Sequence, residues 1–198
     1  MKRIVLASSN PGKLAEIRKV LADTGIELVA QSEFGIADAD ETGMTFVENA
    51  LIKARHASRQ SGLPALGDDS GICADALGGA PGLYSARYAG EHGNNAANNV
   101  KLLDALRGVP DAERGAHFHC TLALLRSADD PAPLIAEGLW YGRILHAAQG
   151  GQGFGYDPVF FDPQHGPAGE LDPAVKIRFS HRGLALARLR ELLDAERR

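Results

Sequence analysis

Residues 64–71, Pro-Ala-Leu-Gly-Asp-Asp-Ser-Gly, constrain the fold of this chain more than any other stretch. The apolar run at 63–66 predicts a buried strand that leads directly into Asp68 and Asp69. We expect these aspartates at the end of the strand, where α/β sheets usually hold their ligands, with the flanking glycines supplying backbone freedom. Adjacent aspartates repel each other unless they face apart or a cation lies between them. An ordinary polar turn is the alternative interpretation.

Composition limits the kinds of protein that this chain can be. Of its 198 residues, 44% are hydrophobic, which is enough to bury a sizeable core. The formal net charge of -4 provides no basic field for duplex nucleic acid, so any phosphate must be bound by locally placed cations. Neither a repeat nor a clear linker divides the sequence, and we predict a single domain over residues 1–198.

Cysteine spacing and hydropathy bear on the cellular compartment of the protein. Cys73 and Cys120 match no metal-ligand spacing, and a disulfide framework is implausible in a chain of this size and composition. Polar residues interrupt the N-terminal apolar run too early for a signal peptide, and no later segment approaches a membrane span. We therefore expect a soluble cytoplasmic protein that binds neither nucleic acid nor membrane.

The first 25 residues predict a strand, a loop and a helix. Residues 4–7 form an apolar run, Asn10 is a favourable N-cap, and Pro11 is a favourable first helical residue. The free N–H groups at such a helix start, with Lys13 beside them, attract anions. The segment is not a Walker loop, because Leu14 replaces the Ser or Thr that would hold magnesium. A capped helix with a solvated lysine is the alternative.

A capping box predicts the next helix. Thr45 and Glu48 have the spacing that caps a helix start, and the apolar pattern continues to about Ser61. Lys53 lies on the surface of this helix and faces either solvent or a ligand. Glu41 precedes the helix closely enough for its carboxylate to lie near the N-terminal end, where a metal ligand or an acceptor is well placed.

Apolar runs and turn residues predict the remaining elements. We predict strands at 26–30, 72–77, 115–125, 134–144 and 159–161, and helices at 94–106 and from about 180 onward. In the helix at 94–106, Val100, Leu103 and Leu106 are expected to face inward.

Residues 150–158 combine four glycines with two aromatic residues. Such a segment lets the backbone approach a flat ligand, with Phe154 or Tyr156 as a stacking surface and Asp157 as an acceptor for a ring N–H. The alternative is a glycine-rich hairpin whose aromatic residues only pack. Three possible donors follow later in the chain, each of which could also be a surface residue: Lys176, His181 and Arg182.

In their order and spacing, these motifs resemble the inosine triphosphate pyrophosphatase family over nearly the whole chain. The segments that carry the resemblance are Ser8-Ser9-Asn10-Pro11-Gly12-Lys13 with Glu16, Glu41-Thr42-Gly43-Met44-Thr45-Phe46 with Glu48-Asn49-Ala50 and Lys53-Ala54, Asp68-Asp69-Ser70-Gly71, Tyr84-Ser85-Ala86-Arg87-Tyr88, Gly153-Phe154-Gly155-Tyr156-Asp157-Pro158 and Ser180-His181-Arg182-Gly183. Each segment is a weak signal alone, whereas the ordered set is specific.

The resemblance implies hydrolysis of ITP, dITP or XTP to the nucleoside monophosphate and pyrophosphate, with Mg²⁺. It implies a homodimer of elongated α/β protomers, each with a mixed β-sheet flanked by helices and two lobes around a central active-site cleft. It also implies that Asp69 is the general base and a metal-associated carboxylate, with Glu41 and Asp68 as further metal ligands. The substrate-binding residues that it implies are Ser8, Ser9, Asn10, Lys13, Lys53, Ser70, Phe154, Gly155, Tyr156, Asp157, Lys176, His181 and Arg182.

Within that set, the resemblance divides the substrate between phosphate and base. Ser8, Asn10, Lys13 and Lys53 would hold the triphosphate, and Phe154 would stack on the base. Asp157, Lys176, His181 and Arg182 would read the edge of the base. A 6-oxo purine offers an acceptor where adenine has an amino group, so donors left unpaired by adenine would penalise ATP.

Two other functions remain open at this stage. A Maf-like pyrimidine nucleotide pyrophosphatase shares a Leu-Ala-Ser opening, but that group expects arginines where this chain has Pro11-Gly12-Lys13. A nucleotide-binding module without turnover could use the same lysines and aromatic residues. Three carboxylates would repel a triphosphate in the absence of a metal, which argues against pure binding.

Overall fold

The computed structural model describes residues 2–196, which contain one seven-stranded mixed sheet and five α-helices. The strands are β1 (Arg3–Ala7), β2 (Glu27–Ala30), β3 (Ala65–Ala74), β4 (Gly115–Leu125), β5 (Leu134–Ile144), β6 (Phe160–Asp162) and β7 (Gly166–Pro167). The helices are α1 (Pro11–Leu21), α2 (Phe46–Ser61), α3 (Asn95–Ala105), α4 (Pro173–Lys176) and α5 (His181–Glu196). The predicted α/β fold with a mixed sheet flanked by helices is confirmed.

The strand order in the sheet is β2-β1-β3-β4-β5-β6-β7. Strand β1 lies between two parallel neighbours, with Val5 opposite Val29 of β2 and Ala65 of β3. The pairs β5·β6 and β6·β7 are antiparallel. Parallel strands require crossover connections, and α1 and α2 lie in the two connections that join β1, β2 and β3. No helix within residues 2–196 has the length and hydropathy needed to cross a membrane.

The strand β3 corrects the interpretation of the acidic motif. The predicted strands at 63–66 and 72–77 are replaced by one ten-residue strand, Ala65–Ala74, and residues 75–77 form a 3-10 helix after it. Asp68 and Asp69 lie in the middle of this strand, neither at a strand end nor in a turn. The flanking Gly67 and Gly71 do not supply unusual backbone angles, because neither has a positive φ. The absence of a side chain at Gly67 allows β3 and α2 to pack closely, because a Cβ on Gly67 would lie 2.0 Å from the carbonyl oxygen of Ala50 in α2.

The chain folds as two compact units. The first takes the chain up to Asp69, then Cys120–Gly138, then the chain from Arg182 onward, and the second takes Ser70–His119 and Leu139–His181. Strands β3, β4 and β5 each contribute residues to both units. The single domain expected over residues 1–198 stays a prediction.

In the first unit, small residues let α2 pack closely on the sheet. Ala50, Ala54 and Ala57 of α2 are fully buried against Val5 of β1 and Ala65 of β3. The helix begins as the capping box predicts, because the Thr45 hydroxyl oxygen accepts a hydrogen bond from the backbone N–H of Glu48 at 3.2 Å. It ends at Gly62, whose φ of 70° is the left-handed conformation that glycine favours.

The second unit is built around a separate apolar core. Its buried members include Ile72, Leu102, Leu106, Phe118, Trp140, Val159 and Phe160. The predicted inward face of α3 was partly wrong, because Val100 is 60% exposed and Leu102 is fully buried in its place. Asn98 completes the buried face of this helix, and its side-chain oxygen accepts a hydrogen bond from the backbone N–H of Ala89 at 2.7 Å. A buried asparagine with a remote partner leaves no apolar signal in the sequence.

We predict that Gly67→Ala destabilises the protein by about 1–3 kcal/mol, because the new methyl group forces β3 and α2 apart. Gly151→Ala is the matched control, since a Cβ at that position meets nothing within 4 Å. Urea unfolding followed by circular dichroism measures both variants. Equal unfolding free energies for the two would contradict the close approach between Gly67 and Ala50.

Candidate active site

The two aspartates of β3 have different surroundings. Successive side chains of a strand lie on opposite faces of the sheet, so Asp68 and Asp69 face apart and each meets its own cations. Asp68 is paired with Lys13 and Arg182, and Asp69 is paired with Lys53. The repulsion between the two adjacent carboxylates is therefore relieved in two ways, because they face apart and because each is paired with a cation.

Asp68 is a fully buried ion-pair partner. Its Oδ1 accepts a hydrogen bond from Lys13 Nζ at 2.6 Å, and its Oδ2 accepts one from Arg182 Nε at 2.7 Å. Burial alone would raise the pKa of Asp68, but the attraction of Arg182 and Lys13 holds this pKa far below its usual range. The Cys120 thiol lies 3.9 Å from Oδ2, and burial raises its pKa. Asp68 is therefore ionised at neutral pH.

Asp69 shares one ammonium group with Glu41. Lys53 Nζ donates to Asp69 Oδ1 at 2.6 Å and to Glu41 Oε1 at 3.0 Å. Burial alone would lower the pKa of Lys53, but the attraction of Asp69 and Glu41 outweighs burial and raises it. Lys53, for which exposure to solvent was an open alternative, is thus held among carboxylates.

The second oxygen of Asp69 is chemically available. Asp69 Oδ2 is buried and has no hydrogen-bond partner among residues 2–196. Burial raises the pKa of Asp69, and the attraction of Lys53 offsets only part of that effect. A carboxylate with an unbonded oxygen and a raised pKa is a stronger base than an exposed aspartate, which is the property needed to accept a proton from water.

The carboxylates on this side of β3 fit a hard divalent cation. Glu41 and Asp69 converge on a single positive charge, and their oxygens are the ligand type that Mg²⁺ prefers. Within residues 2–196, no three His, Cys, Asp or Glu side chains are gathered as a metal site. Both oxygens of Asp68 are bonded to Lys13 and Arg182, so Asp68 is not brought together with Glu41 and Asp69. Metal binding stays a prediction for all three.

The loop before α1 has the predicted local structure. Asn10 caps the helix, with its side-chain oxygen 3.1 Å from the backbone nitrogen of Lys13. Ser8 Oγ accepts a hydrogen bond from the backbone N–H of Asn10, whereas the Ser9 hydroxyl donates to Asp38 Oδ2 at 2.6 Å. The loop therefore brings Ser8, Asn10 and Lys13 to the start of α1 and turns the Ser9 side chain toward Asp38.

In the second unit, the structure brings together Phe154, Asp157 and Lys176. Asp157 Oδ2 accepts hydrogen bonds from the backbone N–H of Phe154 at 2.8 Å and from Lys176 Nζ at 2.6 Å. The ammonium of Lys176 also lies 5.2 Å from the centre of the Phe154 ring. Gly153 is required here, because a Cβ would lie 2.1 Å from Asp157 Oδ2 and φ is +78°. One buried ion pair thus fixes the loop that carries Phe154.

Tyr156, His181 and Ser70 belong to the second unit as well. The Tyr156 hydroxyl donates to the carbonyl oxygen of Ser85 at 2.8 Å, and its buried ring packs in the core rather than presenting a stacking surface. His181 stacks on Phe118 with ring centres 4.6 Å apart and an interplanar angle of 9°. Ser70 is half-buried on β3.

Two contacts that bear on the site could not be inferred from the sequence. Asn99 of α3 donates through Nδ2 to the carbonyl oxygen of Gly155 at 3.0 Å. Glu16, which the motif includes without a role, accepts a hydrogen bond from Arg182 Nη1 at 2.7 Å. Each contact joins residues far apart in the chain, so no local spacing or periodicity signals it.

We predict that Asp68→Asn costs about 3–5 kcal/mol of unfolding free energy at pH 7, because it leaves Lys13 and Arg182 as buried charges without their shared partner. Asp69→Asn costs less, since Glu41 still compensates Lys53 and burial already disfavours the Asp69 charge. Urea unfolding of both variants measures the difference. A larger loss of unfolding free energy for Asp69→Asn would contradict the assignment of Asp68 as the structural ion-pair partner.

The ion pairs of Asp68 also make the unfolding free energy depend on pH in a predictable direction. The pKa of Asp68 is lower in the folded protein than its ordinary value of 3.8. Its contribution to stability is therefore fully present above that value and is lost as the pH falls through and below it. Between about pH 5 and pH 3, the wild type should lose more unfolding free energy than Asp68→Asn does.

Several known proteins resemble this chain over almost its whole length. A sequence model of the Ham1 family matches residues 4–192. A protein named dITP/XTP pyrophosphatase from Xanthomonas campestris (strain 8004) is 60% identical over 98% of this chain and 98% of its own length. The protein of the same name from Vibrio cholerae is 53% identical over 100% of this chain and 99% of its own length.

Solved structures show the same likeness to this family. A HAM1 protein from Coxiella burnetii has a TM-score of 0.90 and 51% identity, with 98% of this chain and 100% of that chain covered. A protein from Mycobacterium abscessus described as nucleoside-triphosphatase / dITP/XTP pyrophosphatase has a TM-score of 0.75 and 42% identity, with 96% and 99% covered. The resemblance inferred from the motifs is confirmed, and this chain belongs to the Ham1 family.

Proposed function

We propose that this protein hydrolyses noncanonical purine nucleoside triphosphates, namely ITP, dITP and XTP, to the nucleoside monophosphate and pyrophosphate. The observation that carries the proposal is the buried, unbonded oxygen of Asp69, whose pKa is raised and which lies beside the ammonium of Lys53. The names of the relatives from Xanthomonas campestris and Vibrio cholerae support the choice of substrate.

The proposed reaction is attack of water on the α-phosphorus. A bond forms between the water oxygen and the α-phosphorus, and the bond from the α-phosphorus to the oxygen that bridges to the β-phosphorus breaks. Asp69 accepts the proton of the attacking water, and pyrophosphate leaves with the bridging oxygen. Lys13 and Lys53, together with the N–H groups at the start of α1, stabilise the negative charge that develops on the pyrophosphate.

Glu41 and Asp69 are the residues that we propose for holding Mg²⁺. When bound, the ion would neutralise phosphate charge and acidify a water ligand. Lys53 compensates both carboxylates in the structure, and in the reaction it supplies positive charge to the phosphates. Asp68 has both oxygens bonded to cations, so its proposed contribution is to hold Lys13 rather than to bind the ion directly.

The residues of the second unit are proposed to bind the base. Phe154 would stack on the purine, and the ion pair of Asp157 and Lys176 offers an acceptor and a donor beside that ring. A 6-oxo group accepts a hydrogen bond where the amino group of adenine donates one, so adenine would leave a buried donor unpaired. From the resemblance alone, we also propose a homodimer that acts in the cytoplasm.

We expect the purified protein with Mg²⁺ to release pyrophosphate from ITP, dITP and XTP at least about a hundredfold faster, in kcat/KM, than from ATP or dTTP. A site that loses a buried hydrogen bond with the wrong substrate discriminates by that much or more. Chromatography of the products from a panel of triphosphates, with and without EDTA, measures the rates. Release of orthophosphate in place of pyrophosphate, or preference for a pyrimidine, would reject the proposal.

We expect Asp69→Asn to reduce kcat by at least about a thousandfold while the affinity for ITP changes much less, because the amide retains the shape of the side chain but cannot accept the proton. Asp129→Asn is the matched control, because that carboxylate is 95% exposed in the same unit. Turnover assays and calorimetric titration with ITP separate the two quantities. Retention of wild-type kcat by Asp69→Asn would remove this residue from the mechanism.

A further inference from the structure

We infer that Asn99 is a positioning residue that determines specificity, because its side-chain amide fixes the loop that carries Phe154. None of the motifs that carry the family resemblance includes this asparagine. The inference deepens the proposed function and rests on it insofar as Phe154, Asp157 and Lys176 are taken to bind the base.

Asn99 belongs to a helix that is anchored by other contacts. In α3, Leu102 is fully buried in the core of the second unit. The neighbouring Asn98 is also buried, and its side chain accepts a hydrogen bond from the backbone N–H of Ala89 at 2.7 Å and donates one to the carbonyl oxygen of Ala86 at 3.2 Å. A functional side chain on an element held in this way has a well-defined position.

The partner of Asn99 is a glycine in the loop of the same unit. Asn99 Nδ2 donates to the carbonyl oxygen of Gly155 at 3.0 Å. Gly155 has a φ of +64°, and a glycine can adopt many other backbone conformations at little cost. The hydrogen bond therefore selects one conformation for the residue that directly follows Phe154.

Phe154 is held on both sides in the sequence. Its own N–H donates to Asp157 Oδ2 at 2.8 Å, and the next carbonyl group along the chain accepts from Asn99. Asp157 is in turn paired with Lys176 at 2.6 Å. The ring on which the base would stack and the ion pair that would read its edge thus have a fixed geometry before substrate binds, which lowers the entropic cost of recognition.

The other half of the Asn99 amide argues that this residue is not present for stability. Its Oδ1 is buried and has no hydrogen-bond partner among residues 2–196. Rotation of the amide would not help, because Oδ1 would then face the carbonyl oxygen of Gly155, which is another acceptor. An unpaired buried acceptor costs stability, and leucine has a higher helix propensity than asparagine. Stability alone therefore favours an apolar residue here, and the contact with Gly155 is what the asparagine adds.

Loss of this contact should affect recognition of the base edge more than stacking. Stacking on Phe154 tolerates any purine, because every base has an aromatic face. Hydrogen bonds to Asp157 and Lys176 depend on alignment, because they weaken steeply as their angle departs from linear. A loosened loop should therefore lose its preference for a 6-oxo purine before it loses affinity for purines in general.

The test compares Asn99→Leu and Asn99→Ala with the wild type. Both variants remove the donor to Gly155, and both residues favour a helix. Asn95→Leu and Asn95→Ala are the matched controls, because Asn95 is an exposed residue of the same helix. Calorimetry measures the dissociation constants of inosine monophosphate (IMP), adenosine monophosphate (AMP) and tripolyphosphate, which has no base. Assays with Mg²⁺ give kcat and KM for ITP and ATP, and urea unfolding gives the midpoint of each variant.

We expect both Asn99 variants to weaken IMP binding about tenfold, and AMP and tripolyphosphate binding by less than about twofold. The KM for ITP should rise with little change in kcat, and the ratio of kcat/KM for ITP over ATP should fall about tenfold. The urea midpoint of Asn99→Leu should equal or exceed that of the wild type, and the Asn95 variants should bind and turn over as the wild type does. A purely structural role of Asn99 predicts a lower midpoint and a lower kcat, with unchanged dissociation constants.

Three results would overturn the inference. They are an unchanged ratio of IMP to AMP affinity in both Asn99 variants, an equal loss of affinity for IMP and tripolyphosphate, and a wild type that binds IMP no more tightly than AMP. If the variants lose the preference for IMP as expected but the wild type does not cleave ITP, the positioning role stands and the proposed function fails. Asn99→Ala keeps the test decisive if Asn99→Leu does not fold, because the smaller side chain cannot overpack the site.

Discussion

The ion pairs of Asp68 are the interaction on which this structure depends. A carboxylate in the middle of a buried strand is costly, and only the two cations that contact it offset that cost. Lys13 comes from α1 and Arg182 from α5, so the contacts that neutralise the charge also fix both helices against β3. The anion-attracting start of α1 is held in place by a charge that never meets solvent.

Side chains of a β-strand alternate between the two faces of the sheet, so the identical side chains of Asp68 and Asp69 have different surroundings. Asp68 has every oxygen bonded and a lowered pKa, and Asp69 has one unbonded oxygen and a raised pKa. The same backbone supplies both, one residue apart, because neighbours on a strand face opposite sides. A structural anion and a candidate base can therefore sit side by side without competing for the same cation.

Local sequence signals predicted local structure well. The apolar runs of β1, β4 and β5 and the capping box at Thr45 predicted their elements nearly to the residue, because periodicity and capping act over a few positions. The continuity of β3 was missed, because the cations that let the strand carry Asp68 are 55 and 114 residues away in the sequence. The motifs named Glu41, Lys53 and Asp69, which the structure brings together, but they could not show that Arg182 contacts Asp68.

The shared ammonium of Lys53 has a consequence for the resting protein. Many sites rich in carboxylates rely on dissolved ions to relieve their repulsion, and such screening varies with the surrounding medium. Here the counterion of Glu41 and Asp69 is covalently part of α2 and cannot diffuse away. The arrangement of these acids should thus persist in dilute buffer as well as in concentrated salt, ready before any nucleotide arrives.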